Sequence, residues 1–219
     1  DALFILPRRP FYVFDETRVM SDKAAGLDAR LTLPGPGVEV FVEMLTTDDH
    51  DIFKAPKQAL WHDAVWTAGG RMLGMGAEGR WDAWAEWTRV GLLPYTHHEF
   101  TSGLTLDRRV LGSPLGPLGT GMQAGVDRTG TRGTLSLGAA WERYSGDTYR
   151  NPDDGESWRF RVADNPDEIR VRGTVAWEGH AAPGLRTGVR LGWERVTRFA
   201  LGPASRSNFM AQVRFAYAW

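Results

Sequence analysis

Few residues in this 219-residue chain have the types and spacing that chemistry requires. His97 and His98 are adjacent. Neighbours in an extended chain point to opposite sides, so the pair is poorly arranged to chelate one metal. Packing or hydrogen bonding within a loop is the expectation for them. Asp48, Asp49, His50 and Asp51 offer acidic and Asp–His groups of the kind aspartyl-type hydrolysis uses. That chemistry needs two separated pairs across a cleft, and one contiguous run reads as a solvated loop. A lipase-type relay would need His and Ser two apart with Asn next. His98 and Ser102 are four apart and Gly103 follows, so the spacing fails. Gly74, Gly76 and Gly79 match a nucleotide-binding pattern formally, but they precede the strand-like run Trp81–Val90 rather than a helix. There are no cysteines, which excludes disulfides, cysteine zinc sites and thiol nucleophiles. No catalytic centre, metal site or cofactor is expected.

The elements that position these residues have a period of two. Ile169, Val171, Gly173, Val175 and Trp177 alternate with Arg170, Arg172, Thr174, Ala176 and Glu178. Leu185, Thr187, Val189, Leu191 and Trp193 alternate with Arg186, Gly188, Arg190, Gly192 and Glu194. Phe209, Ala211, Val213, Phe215, Tyr217 and Trp219 alternate with Met210, Gln212, Arg214 and Ala216. Similar alternation covers 38–44, 81–87 and 135–142, with Trp84 intruding on a polar face. Such alternation specifies strands with one apolar and one polar face, and no segment shows a capped helical stripe. Several strands run about 11–15 residues. Soluble strands usually run about 5–6, whereas a tilted strand crossing a bilayer needs roughly 9–11. Aromatic residues gather near the ends of the apolar faces: Trp141, Trp177, Trp193, Tyr217 and Trp219. Rings at a water–lipid boundary form the girdles of membrane barrels. The expected fold is therefore all-β, an antiparallel transmembrane β-barrel, with a soluble sandwich or lipocalin-like barrel as the alternative.

Formal charge is −1, so no basic field argues for nucleic acid. No apolar run approaches a spanning helix, and Asp1 does not open a signal peptide. The chain thus reads as cytosolic and complete, exported and processed, or a piece of something longer. Glycine is plentiful, 26 residues, and 11% of the chain is aromatic.

Connections alternate between short and long. Turns at 33–37, 76–79, 128–131 and 181–184 each hold the Gly or Pro of a tight reversal. Loops at 47–61, 93–117, 145–167 and 199–205 are long and polar. Outer-membrane barrels have this asymmetry, with short periplasmic turns and longer extracellular loops. Nine strands follow, near 25–33, 37–46, 62–75, 79–92, 118–128, 131–144, 168–180, 184–198 and 206–219. Segment 158–163 is a possible extra strand inside a long loop. Residues 1–24 form an irregular lead-in to a single domain, 1–219. Bacterial barrels are usually even-numbered. Either a tenth strand comes from 1–24, near Phe4–Leu6 or Phe11–Phe14, or the chain is part of a larger barrel. On this reading Glu39, Glu43, Glu86, Arg170, Arg172, Arg186, Arg190 and Glu194 face the lumen, as a salt-bridge lattice or as a selectivity path.

Segment 95–127 resembles the Wzi capsule-assembly family of outer-membrane barrels. Members carry a Tyr-x-His-His-x-Tyr-like motif, a Gly, then Gly-Arg-x-Leu-Gly-x-Pro-Leu-Gly and a strand. These features fall on Tyr95, His97, His98, Phe100, Gly103, Arg108, Arg109, Leu111, Gly112, Pro114, Leu115 and Gly116. Phe100 replaces the second Tyr, and Asp107 stands where Gly is usual. Residues 26–49 are similar to the family's hairpin ending in an acidic loop. The resemblance implies a location in the outer membrane of a Gram-negative-type bacterium, an 18-stranded barrel of which this chain is the carboxy-terminal part, and a non-enzymatic role in attaching capsular polysaccharide. Missing strands or another chain would complete the barrel. The barrel-insertion machinery, membrane lipid and the polysaccharide are the implied partners. Glycan binding would fall on Tyr95, His97, His98, Arg108, Arg109, Tyr149, Arg150 and Trp158; Arg pairs its planar fork with acidic sugars. A passive channel or a structural barrel subunit is the alternative function.

Overall fold

The computed structural model describes residues 24–47, 56–62, 64–92, 105–106, 109–110, 113–150 and 160–217. Nine long strands account for most of them. They are β1 (Ala24–Leu33), β2 (Val38–Thr47), β3 (Ala64–Met75), β4 (Trp81–Val90), β7 (Thr120–Gly130), β8 (Gly133–Tyr144), β11 (Glu168–Ala182), β12 (Leu185–Thr197) and β13 (Arg206–Tyr217). Their limits agree with the alternation of apolar and polar residues to within a few positions. Each strand pairs antiparallel with the next in one sheet of order β1-β2-β3-β4-β7-β8-β11-β12-β13. Among the described residues β1 and β13 are the sheet's two edges, and the sheet is not joined into a ring.

The turns have the expected chemistry. At Pro34–Gly37 the Gly37 N–H donates to the Pro34 carbonyl at 3.2 Å, with Gly37 at φ 68°. A Cβ there would stand 2.5 Å from the Leu73 carbonyl oxygen, so both the backbone angle and the space call for glycine.

Three long connections hold structure of their own. The first contains a short helix, α1 (Pro56–Trp61), where alternation had implied only loop. Six residues cannot sustain a helix alone. Side chains from the sheet hold its last carbonyls: Thr46 Oγ1 donates to Ala59 O at 3.1 Å, Trp66 Nε1 to Leu60 O at 2.7 Å, and Arg89 Nη1 to Trp61 O at 2.9 Å. Carbonyls left over at a helix C-terminus are thus satisfied by three different strands. The second connection contains the two-residue strands β5 (Thr105–Leu106) and β6 (Arg109–Val110), paired with each other. The third contains β9 (Thr148–Arg150) and β10 (Phe160–Ala163), also paired, the latter within the extra strand expected at 158–163. The proposed tenth strand from Phe4–Leu6 or Phe11–Phe14 lies outside the described residues.

Strand pairing sorts side chains onto two faces. One register row runs Met72, Ala83, Val126, Leu137, Val175, Leu191, Ala211 across seven strands. The two middle rows of this face, through Leu137 and Ala139, hold no polar side chain. The charges it carries in the described strands are Arg89, Arg143 and Arg195 toward the long loops and Arg128 toward the turns. Yet among the described residues nothing packs against this face: Leu137 is 48% exposed, Val175 46% and Leu191 54%, although all three lie on interior strands. Among the described residues the buried apolar ones sit at the loop end: Ala59, Ala64, Val90, Leu92, Leu115 and Val196. A soluble sandwich or small soluble barrel buries its apolar face in a common core; among the described residues this face has no such cover.

Candidate functional site

The opposite face collects the charges. Register places Glu39, Glu43, Glu86, Arg170, Arg172, Arg186, Arg190 and Glu194 all on it, as alternation required. Glycines make room for two of the aromatic residues on that face. Trp84 lies across Gly125, whose Cβ would fall 2.7 Å from the indole nitrogen; Phe41 lies across Gly69, whose Cβ would fall 2.7 Å from the ring. A ring laid flat over a strand glycine shields backbone that would otherwise be bare. That explains the aromatic intrusion at Trp84.

Ion pairs bring together part of the predicted set. Glu39 accepts from Arg71 Nη2 at 3.2 Å, and Arg30 Nη1 stands 3.9 Å from its other oxygen. Glu86 accepts from the Gln123 amide at 2.9 Å, and Glu194 from the Asn208 amide at 3.0 Å. Glu142 accepts the Tyr144 hydroxyl at 2.7 Å and pairs with Arg172. Glu43, Arg186 and Arg190 sit outside these pairs. Sequence alternation shows both signs mixed along the chain, but register separates them. On β1 through β7 the polar face is mainly acidic: Asp28, Glu39, Glu43, Asp82, Glu86 and Asp127 against Arg30 and Arg71. On β11 through β13 it is mainly basic: Arg170, Arg172, Arg186, Arg190, Arg206 and Arg214 against Glu168, Glu178 and Glu194.

Glu168 was not singled out by sequence reasoning, yet it organises the loop end. It is only 4% exposed. A carboxylate so buried needs compensation. Arg170 Nε donates to one oxygen at 2.6 Å and the Ala200 N–H to the other at 2.6 Å. The Arg170 guanidinium also stands 4.5 Å from the Tyr144 ring centroid. The β12–β13 connection holds Arg198, Ala200 and Leu201 at positive φ, a costly region for residues with a Cβ. The Glu168 bond, a 2.5 Å bond from Arg198 Nε to Asp167 O, and Arg206 stacked 4.0 Å over the Phe199 ring hold that conformation.

Above the polar face, at the loop end, lies a cavity of about 550 Å³. The turn at 113–119 covers it. Leu115 is buried, and its methyl carbons lie 3.1 and 3.3 Å from where a Cβ on Gly121 would stand, so Leu115 rests directly on the sheet. Below it the wall is polar: Thr67, Thr88, Glu86, Gln123, Glu142 and Arg172. Leu45 and Val65, one register row nearer the loops than Thr67, add an apolar rim.

Four tryptophans on the apolar face fall into two levels. Trp87 and Trp141 share one register row through Met122; Trp81 and Trp177 share another through Arg128 and Leu135. The two rows are six residues apart along β8, about 20 Å at strand spacing. Trp193 stands one row inside the Trp141 level, opposite Phe209, and Tyr217 pairs with Leu185 near the turns. Trp81 and Trp87 complete the two levels and are visible in the sequence only once register is known. Trp219 lies outside the described residues.

The predicted glycan-binding set is mostly outside the described residues as well: Tyr95, His97, His98, Arg108 and Trp158 are, and so is the acidic run 48–51. Arg109 begins β6, and Tyr149 and Arg150 lie in β9, paired with Arg161 and Phe160. In comparisons with known proteins, no family model, no curated protein and no solved structure matches the chain.

Proposed function

We propose that this sheet is part of the wall of a transmembrane β-barrel in a bacterial outer membrane, and that its loop end holds surface polysaccharide. The observation that carries the membrane assignment is the exposed apolar face, whose two central rows hold no charged side chain and are flanked on either side by a row that carries tryptophans. Lipid tails satisfy such a face, while water satisfies the charges on the other. The alternation of short turns and long loops orients it, with the turns on the periplasmic side.

Edges exposed to lipid would leave backbone groups unsatisfied at several kcal/mol each. In a nine-stranded antiparallel run, β1 and β13 point the same way. Strands that join them into an antiparallel ring are therefore odd in number. A second copy of the same nine strands in the same orientation would create parallel seams instead. Missing strands of the barrel's other part meet the requirement when they too are odd in number.

The polysaccharide assignment rests on the resemblance of 95–116 to the capsule-assembly family and on a cavity at the loop end that combines an apolar lining with Glu86, Gln123, Glu142 and Arg172. Its test is a deletion strain complemented with the full-length protein. Cell-bound polysaccharide is expected to fall on deletion and return on complementation, with the lost material recovered in the medium. Equal cell-bound amounts in all strains would refute it. The separation of acidic and basic walls favours a second reading, a channel whose lumen carries a transverse field. Conductance in a planar bilayer distinguishes it.

A further inference from the structure

The cavity beneath Leu115 has the chemistry of a sugar subsite. Its volume, about 550 Å³, lies within the usual range for small-ligand pockets of roughly 300–1,000 Å³. A pyranose presents an apolar C–H face and a rim of hydroxyls that both donate and accept. The cavity offers the complement. Leu115, with Leu45, supplies the apolar surface. Glu86 and Gln123, joined at 2.9 Å, supply a carboxylate acceptor beside an amide that donates and accepts, the fork that adjacent hydroxyls fit.

Charge decides which sugar. Glu142 is neutralised by Arg172 and further bonded by Tyr144. Glu86 is bonded only to the uncharged Gln123 among the described residues, so the wall keeps a negative charge directed at its occupant. A uronic acid would bring a second carboxylate against it, and like charges at short range repel. An amino sugar would gain a charge-assisted bond instead.

We propose that this cavity takes one neutral or amino-substituted pyranose and rejects a uronic acid. This rests on the polysaccharide reading above and adds the class of sugar residue held at the wall.

The test uses the purified full-length barrel in detergent micelles, with methyl α-glucopyranoside, glucosamine and glucuronic acid as probes in saturation-transfer NMR titrations. Glucosamine is expected to bind most tightly, the glucoside next, and glucuronate at least fivefold more weakly than the glucoside. In Glu86→Gln, glucosamine is expected to weaken about fivefold and glucuronate to approach the glucoside. Glucuronate binding as tightly as the glucoside to the unmodified protein, or no transfer to any probe, would overturn the proposal without recourse to a variant. If cells retain polysaccharide while no monosaccharide binds, the pocket is wrong and attachment lies in the loops. Monosaccharide binding with that preference but no cellular retention supports the pocket and removes the attachment reading alone.

Discussion

Replacing Leu137 with arginine puts a guanidinium in the middle of the apolar face. Leu137 pairs with Val126 on one side and Val175 on the other, in a row that holds no polar side chain from Met72 to Ala211. It is 48% exposed, so little packing is lost with it. Were that exposure to water, the change would fall within about 0.5 kcal/mol, as surface substitutions do. Exposure to lipid gives a different figure. Arginine near the midplane of a barrel's lipid face costs about 2–4 kcal/mol, which is roughly 30- to 700-fold in the folding equilibrium. The neighbouring Ser136→Arg is the control, because Ser136 pairs with Asp127 and Ala176 on the polar face. Reversible urea unfolding in lipid vesicles, followed by tryptophan fluorescence, reads both. The expected result is a loss of about 2–4 kcal/mol for Leu137→Arg and a change within about 0.5 kcal/mol for Ser136→Arg. Equal, small changes in the two variants would refute the assignment of the faces.

Three further outcomes follow from the polar face and the loop end. Gly125→Val drives methyl groups into the Trp84 indole, already 2.7 Å from the position of a Cβ, and should cost about 1–3 kcal/mol by overpacking, read as a lower urea midpoint. Glu168→Gln removes the charge from two 2.6 Å bonds, one to Arg170 and one to the Ala200 N–H. A loss of about 1.5–3 kcal/mol is expected, with faster tryptic cleavage after Arg198 or Arg206, and unchanged cleavage would count against the clip. Arg71→Ala breaks a pair whose arginine is half-exposed, so the change should stay under about 1 kcal/mol and shrink further in salt.

Period-two alternation made the nine strands and both faces legible in the sequence, because side-chain direction in a strand is set by position alone. Glycines and prolines marked the short turns for the same local reason. Register is not local. Glu39 and Arg71 meet across 32 residues, and Glu168 reaches Ala200 across another 32, so neither contact leaves a mark in nearby sequence. The sorting of acidic from basic charge, the two tryptophan levels and the cavity under Leu115 all depend on register. Helix α1 escaped notice because its stability comes from Thr46, Trp66 and Arg89, donors on other elements, and not from periodicity within its six residues.

The chain has no cysteine, so single cysteines introduced one at a time can carry a nitroxide without background. Val175 and Leu191 are paired on the apolar face, and Ala176 and Arg190 are paired on the other. With the protein in lipid vesicles, labels at Val175 and Leu191 should collide with oxygen and be shielded from a water-soluble nickel chelate, while labels at Ala176 and Arg190 should show the reverse. Free access of the chelate to Val175 and Leu191 would contradict the claim that this face meets lipid.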